Sequence, residues 1–315
     1  MTSPILGLHH VTATVDDAQA DLDFAAGALG LRLVKKTVNF DNHHVFHFYY
    51  GDERGRPGTL WTTFPYKGHG VRTGTHGAGQ ISTTSFSVPK GSLAWWRAHL
   101  TGRGIVIHDA PPRFGDAALE CRDASGLVFE LVESGHDPRE PWTAGSVDGD
   151  RAVRGLYSVT MVVRSPVRTL ELLTGMLGFI KINESEHRIR VAVNGERPGR
   201  LIDIVADRDV PQGVNGLGTV HHVAMAVETG DEQRRLRDEL LRQGFQVTDI
   251  RDRCYFESIY FREPGGVLLE IATVDPGFLI DEPLSDLGHH LKLPPWEEPN
   301  RAEIERGLPH VKLKA

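Results

Sequence analysis

The run Leu8-His9-His10-Val11-Thr12-Ala13-Thr14-Val15 is strand-like, rich in β-branched residues and headed by two histidines. The same pattern returns as Val220-His221-His222-Val223-Ala224-Met225-Ala226-Val227. A third run, Gly266-Val267-Leu268-Leu269-Glu270-Ile271, carries one carboxylate among aliphatics. Recurrence on this scale decides the architecture, because a repeated supersecondary unit buries its apolar face against its own copies.

Working outward, four copies of one unit are legible. Each opens with a short strand, continues as a helix, and closes on a glycine followed by an apolar residue. The opening strands hold His10, Thr83, Ser158 and His222, and the closures are Gly30-Leu31, Gly104-Ile105, Gly178-Phe179 and Gly244-Phe245. From opening residue to closing glycine the spacings are 20, 21, 20 and 22 positions. Asp16 or Asp17 is expected to cap the first helix, whose face is Ala18, Leu22, Ala25, Ala26 and Leu29. Ser92 is expected to cap the second, with Leu93, Trp96 and Leu100 on its face, and Ser165 the third, with Pro166 first in the helix. Asp231 is the expected fourth cap, with Leu236, Leu240 and Leu241 as the stripe. The closing glycines suit the left-handed position after a helix.

Each unit then runs on as strands, the last preceded by glycine: Gly58-Thr59-Leu60-Trp61-Thr62, Gly126-Leu127-Val128-Phe129-Glu130, Gly199-Arg200-Leu201-Ile202-Asp203, and the Glu270 run. The unit is βαβββ. The expected class is α+β, with four modules forming two open, curved, mixed-sheet barrels. Residues 1–145 hold one pair of modules and 152–275 the other, with a Gly-, Pro- and Asp-rich linker over 134–152. Residues 276–315, with Pro294-Pro295-Trp296, are expected to pack on the body as a tail.

Aligned by their glycines, the modules offer two inward positions each: His10 and Thr62, Thr83 and Glu130, Ser158 and Asp203, His222 and Glu270. Pairing in sequence order yields no site with two histidines. Pairing modules 1 and 4 brings together His10, His222 and Glu270, with Thr62 where a fourth ligand might stand. Modules 2 and 3 then form a barrel without imidazole. Two imidazoles and one carboxylate on strands suit a mononuclear iron(II) site with open positions; manganese(II) is equally allowed by these donors. Taken singly, a strand histidine is more often a hydrogen-bonded core residue than a ligand; the equivalence of His10 and His222 in the repeat makes the joint case. By strand alternation His9 and His221 face the other side, either orienting the ligands or packing between sheet and helix.

Composition narrows the function classes. The chain has 315 residues, 40% of them apolar, and a net charge of −7. No basic stripe suggests nucleic acid, and no apolar run approaches the ~18 residues of a membrane span. Two separated cysteines, Cys121 and Cys254, indicate neither a disulfide framework nor a thiolate metal site. The N-terminus shows no export signal, so a cytoplasmic protein is expected, as a monomer or homo-oligomer. His47 and His76 are further candidates to line an active site, the latter in a glycine-rich loop.

The four modules, the paired histidines and Glu270 resemble the vicinal oxygen chelate (glyoxalase/bleomycin resistance/dioxygenase) superfamily, and within it the ring-cleaving dioxygenases that act on hydroquinones. The resemblance covers nearly the whole chain, including Lys35-Lys36-Thr37-Val38-Asn39-Phe40-Asp41, Phe48-Tyr49-Tyr50-Gly51-Asp52 with Pro57-Gly58-Thr59, and Leu293-Pro294-Pro295-Trp296. It implies iron(II) on His10, His222 and Glu270, with His9, Thr12, His221, Arg253 and Tyr260 around metal and substrate. Arg253 and Tyr260 are expected on the strands just before Glu270; an arginine there can hold a phenolate, and a tyrosine can donate to a ring hydroxyl. The implied partners are a small aromatic substrate and O2. The implied reaction is extradiol-type opening of a hydroquinone, substituted or not, to a muconic semialdehyde type of product. Three rivals share the fold: a catechol extradiol dioxygenase, a glyoxalase-like lyase or isomerase, and a metal-free aromatic- or drug-binding protein. Thr62 in place of a fourth ligand weighs against the second, and the intact triad against the third.

Overall fold

The computed structural model describes residues 3–313. In module 1, strand β1 (Ile5–Val15) leads to helix α1 (Ala18–Leu22), which widens into a π-helical turn over Asp23–Ala28, then to β2 (Arg32–Asn39), β3 (Asn42–Gly51) and β4 (Leu60–Pro65). Module 2 comprises β5 (Gln80–Pro89), α2 (Leu93–Thr101), β6 (Ile107–Asp109), β7 (Ala118–Arg122) and β8 (Val128–Ser134). Module 3 comprises β9 (Gly155–Val163), α3 (Val167–Gly175), β10 (Ile180–Glu184), β11 (Arg188–Ala192) and β12 (Leu201–Ala206). Module 4 comprises β13 (Thr219–Val227), α4 (Gly230–Arg242), β14 (Arg251–Asp252), β15 (Phe256–Arg262) and β16 (Leu268–Pro276). The tail contains short 3-10 turns and α5 (Arg301–Gly307).

The strands form two eight-stranded mixed sheets, ordered β14-β15-β16-β13-β1-β4-β3-β2 and β10-β11-β12-β9-β5-β8-β7-β6. Modules 1 and 4 therefore share one sheet and modules 2 and 3 the other, as the histidine positions require. Within each module the first and last strands run parallel, and the register repeats: Thr12 opposite Thr62, Ser85 opposite Glu130, Thr160 opposite Asp203, Ala224 opposite Glu270. His10, Thr83, Ser158 and His222 each lie two residues before the first-named position, so the glycine alignment holds in space.

Local chemistry explains the boundaries. Gly30, Gly104, Gly178 and Gly244 all have φ between +71° and +84°, the left-handed conformation that ends a helix without a Cβ penalty. Asp17 caps α1, accepting from Ala20 N at 2.8 Å. The other caps differ from expectation. Ser92 occupies the N-cap of α2 but its hydroxyl donates back to Pro89 O, and Glu133 takes the Gly91 and Leu93 amides instead. Pro166, not Ser165, is the N-cap of α3. Thr229 caps α4 in a reciprocal capping box with Glu232, so Asp231 falls inside the first turn. Ala26 is only half-buried because the π-turn shifts the face, and Leu241 is exposed.

One continuous core packs the helices on the outer sheet faces, with Leu22, Trp96, Leu173 and Leu240 all buried there. The tail closes the first barrel. Phe278 meets Tyr49 and Tyr255 with ring centroids 5.0 and 4.8 Å away. Lys35, wholly buried, pairs with Asp281 at 2.6 Å and with Glu282. Among the described residues no helix is long and apolar enough to cross a membrane.

In the second barrel, the carboxylates equivalent to Glu270 face arginines. Glu130 receives Arg113 bidentately and the Ser85 hydroxyl at 2.6 Å. Asp203 receives Arg190 at 2.6 and 2.9 Å, and Arg188 at 3.0 Å. Guanidinium groups thus neutralise the position that in the first barrel is bordered by imidazoles.

Candidate metal centre and pocket

His10 on β1, His222 on β13 and Glu270 on β16 converge inside the first barrel. His10 Nε2 lies 3.2 Å from His222 Nε2 and 3.3 Å from Glu270 Oε2, and the latter two are 2.8 Å apart. Three donors about 2.1 Å from one ion, at right angles to one another, lie ~3 Å apart. The triangle therefore fits one face of an octahedral ion. Among the described residues this is the only group of three His, Cys, Asp or Glu with that convergence.

The protonation chemistry agrees. Burial lowers His222 against the opposing pull of Glu270 beside it, which favours the neutral form that can offer a lone pair. Burial alone would raise the Glu270 carboxyl, but the facing His10 and His222 hold it well below the usual carboxylate range. Glu270 Oε1 accepts from the Ser258 hydroxyl, while Oε2 is buried and faces only the Nε2 atoms of His10 and His222. A buried carboxylate oxygen in that state calls for a partner, and a divalent cation among these donors supplies one.

Each histidine of the triad is backed by the histidine before it. His9 Nδ1 lies 2.9 Å from His10 Nδ1, and His221 Nδ1 2.8 Å from His222 Nδ1. Burial first, and the neighbouring ligand histidine second, push His9 and His221 down to about 3, so both are neutral. A neutral His9 can accept the Nδ1–H of His10, which frees Nε2 for the metal; the tautomer is assigned from the network. The expected alternation to the opposite face is incorrect. His9 is the extra residue of a β-bulge between Leu8 and His10, and His221 of one opposite Thr12 and Ala13. A bulge puts two residues against one and re-aims a side chain. The other sheet carries equivalent bulges at Ser82 and Tyr157, so the device belongs to the repeat.

A cavity of about 430 Å³ opens onto the triad, within the range of small-molecule sites. His47 does line it: its Nε2 lies 3.0 Å from the Thr62 hydroxyl, which is 2.8 Å from that of Thr12. Tyr260 is on β15 opposite Glu270, its ring 5.7 Å from that of His222. Arg253 is not on a strand but in the turn between β14 and β15, followed by Cys254 at φ +63°. Its Nε donates to Tyr260 Oη at 3.1 Å and its Nη2 to Asp41 Oδ2 at 3.1 Å. His76 is exposed and outside the cavity, and His43 pairs with Glu297. Burial pushes both thiols, Cys121 and Cys254, up to about 12, which removes them as nucleophiles. Ser258, Phe256 and Asp41 join the site without a sequence signal of their own, because each is placed by strand pairing or a turn. A larger groove of about 1130 Å³ between α1, Trp142 and the tail brings no such ligand set together.

The sequence profile of the Glyoxalase/Bleomycin resistance protein/Dioxygenase superfamily matches residues 155–271, modules 3 and 4, which belong to different barrels. MhqO of Bacillus subtilis (strain 168), assigned by name to the ring-cleaving dioxygenases, is 40% identical over 98% of this chain and 97% of its own. The chlorohydroquinone/hydroquinone 1,2-dioxygenase of Sphingobium indicum is 37% identical over 96% of this chain and 95% of its own. A solved Bacillus subtilis chain described as a dioxygenase superposes with a TM-score of 0.94 at 38% identity, covering 100% of this chain and 99% of that one.

Proposed function

The chain belongs to the ring-cleaving dioxygenases of the glyoxalase/bleomycin resistance protein/dioxygenase superfamily, and from that membership we propose that it is an iron(II)-dependent, extradiol-type enzyme that opens a hydroquinone ring with O2. The observation that carries the reading is the triangle of His10 Nε2, His222 Nε2 and Glu270 Oε2 at the base of a pocket lined by aromatic residues. Iron(II), which these three residues would hold, would supply the redox chemistry that couples O2 to a phenolate; manganese(II) suits the same donors.

The chain's own residues then have separate tasks. His9 and His221 fix the ring orientation and tautomer of the ligand histidines. Ser258 holds Glu270 Oε1, leaving Oε2 for the metal. A hydroquinone that offered one hydroxyl to a metal held there would place its partner hydroxyl across the ring, too far to reach the same ion. Tyr260 and Arg253 meet that remote end, with the tyrosine donating or relaying a proton and the guanidinium holding negative charge. Burial raises the Tyr260 hydroxyl above its ordinary value, so it stays a donor at neutral pH. Phe256, Phe64 and Tyr49 exclude water. Both oxygen atoms are retained, so ring and O2 sum to the ring-opened product.

Thr62 distinguishes this reading from a glyoxalase-type lyase. Its hydroxyl is committed to Thr12 and His47, so this module adds no fourth protein ligand. The test is metal analysis of untagged protein, followed by oxygen uptake after anaerobic iron(II) loading. Stoichiometric iron and equimolar consumption of O2 and hydroquinone are expected. Absence of uptake with every hydroquinone and catechol would overturn the reading, and turnover of catechols alone would replace the substrate class.

A further inference from the structure

At the rim of the cavity, Asp41 in the β2–β3 turn reaches across from module 1 to module 4. Its Oδ2 accepts from Arg253 Nη2 at 3.1 Å and its Oδ1 from Arg251 Nη1 at 3.3 Å. The exposures are unequal: the Arg253 side chain is 16% exposed and that of Asp41 59%. The guanidinium inside the pocket therefore has its one carboxylate partner at the solvent edge. The Arg253 guanidinium makes one other hydrogen bond among the described residues, to Tyr260, although it has five donors.

An unpaired guanidinium in a phenol-sized pocket is a bidentate receptor for a carboxylate. Here Asp41 already takes Nη2, one prong of that fork, while Tyr260 takes Nε, and Asp41 sets a negative charge beside any ring substituent that approaches. A neutral hydroxyl can still bond to Tyr260 and to the remaining donors of Arg253. An anionic substituent would meet Asp41 at the mouth and Glu270 at the base. The turn is pinned by the tail: Phe40 meets Trp296 edge-on at 5.6 Å, and His43 meets Glu297 at 3.0 Å. Asp41 is thereby held over the mouth rather than left free in solvent.

We infer that Asp41 is a specificity-determining residue, which reserves Arg253 for uncharged phenolic rings and rejects rings bearing a carboxylate. This rests on the proposed aromatic substrate class and specifies which members of it enter.

The experiment titrates the metal-loaded, full-length protein anaerobically, by calorimetry, with 4-methylphenol and with 4-hydroxybenzoate. The wild type is expected to prefer 4-methylphenol. In Asp41→Asn the ratio of affinities should move toward 4-hydroxybenzoate by about tenfold or more, the scale of a charge-assisted hydrogen-bond pair. The shift should shrink with added salt, and Asp41→Glu should keep the wild-type preference. If 4-methylphenol binds all three proteins and the ratio stays within twofold, the inference about Asp41 is wrong and the aromatic pocket stands. If neither compound binds any of the three, both the inference and the proposed substrate class fall.

Discussion

His47 Nε2 lies 3.0 Å from the hydroxyl of Thr62, at the one position of the four-module repeat where a carboxylate is missing. Modules 2, 3 and 4 carry Glu130, Asp203 and Glu270 there. Thr62 is wholly buried and also meets Thr12. The position corresponding to a fourth ligand of the proposed metal site is thus filled by a hydrogen-bond network among Thr62, Thr12 and His47.

Thr62→Val keeps the shape but strands the partners of the hydroxyl. Leaving a buried polar group unsatisfied costs about 1–3 kcal/mol. The denaturation midpoint should fall accordingly, while metal content stays unchanged. Loss of the metal in this variant would mean that Thr62 is itself a ligand.

His9→Ala and His221→Ala remove the Nδ1 partners of the two ligand histidines. Loss of such an outer partner typically weakens metal affinity by about 10–100-fold. Chelator competition reads this directly, without turnover. Unchanged affinity in both variants would reduce the paired histidines to packing.

The metal-free protein should lose stability in acid. His9 and His221, at about 3, and His47, lowered by burial, stay unprotonated in the folded state. Their unfolded values lie near 6.5, so below that pH the unfolded chain binds more protons and stability falls. Asp21, raised by burial to about 7, and Asp123, raised to about 6, act the other way, because the folded state holds their protons. Three groups against two leave at least one net proton, a slope of about 1.4 kcal/mol per pH unit between roughly pH 4 and 6. Asp21→Asn removes one opposing group and should steepen the slope by about one further proton, ~1.4 kcal/mol per pH unit. Denaturation midpoints across that range decide it, and stability that rises toward acid contradicts the assignment.

Arg113→Ala leaves Glu130 buried and lacking its bidentate cation, with Asp203 and Asp116 nearby. Breaking a buried pair from one side costs about 3–5 kcal/mol. Chemical denaturation should show that loss, with the metal stoichiometry of the other barrel unaltered. A near-neutral effect would mean that Arg188 and Arg190 suffice for the cluster.

Much of this was legible in the chain itself. The glycine spacing exposed four modules because a left-handed residue must follow each helix, and the inward positions alternate with period two from those anchors. The absence of any two-histidine set between sequence neighbours forced modules 1 and 4 together. The helix caps were less legible, since Ser92, Thr229 and Asp231 are all competent and only the path of the chain selects among them.

Sequence alone determined which residue types recur and at what spacing, hence the repeat and the identity of the triad. Tertiary structure alone decided that His9 and His221 turn toward their ligand neighbours, because a β-bulge depends on the partner strand: two residues oppose one only after β1 and β13 pair. It likewise decided that Arg253 sits in a turn facing Asp41, residues 212 positions apart. Contacts between distant segments follow from how strands register, and no local pattern encodes register across such a distance.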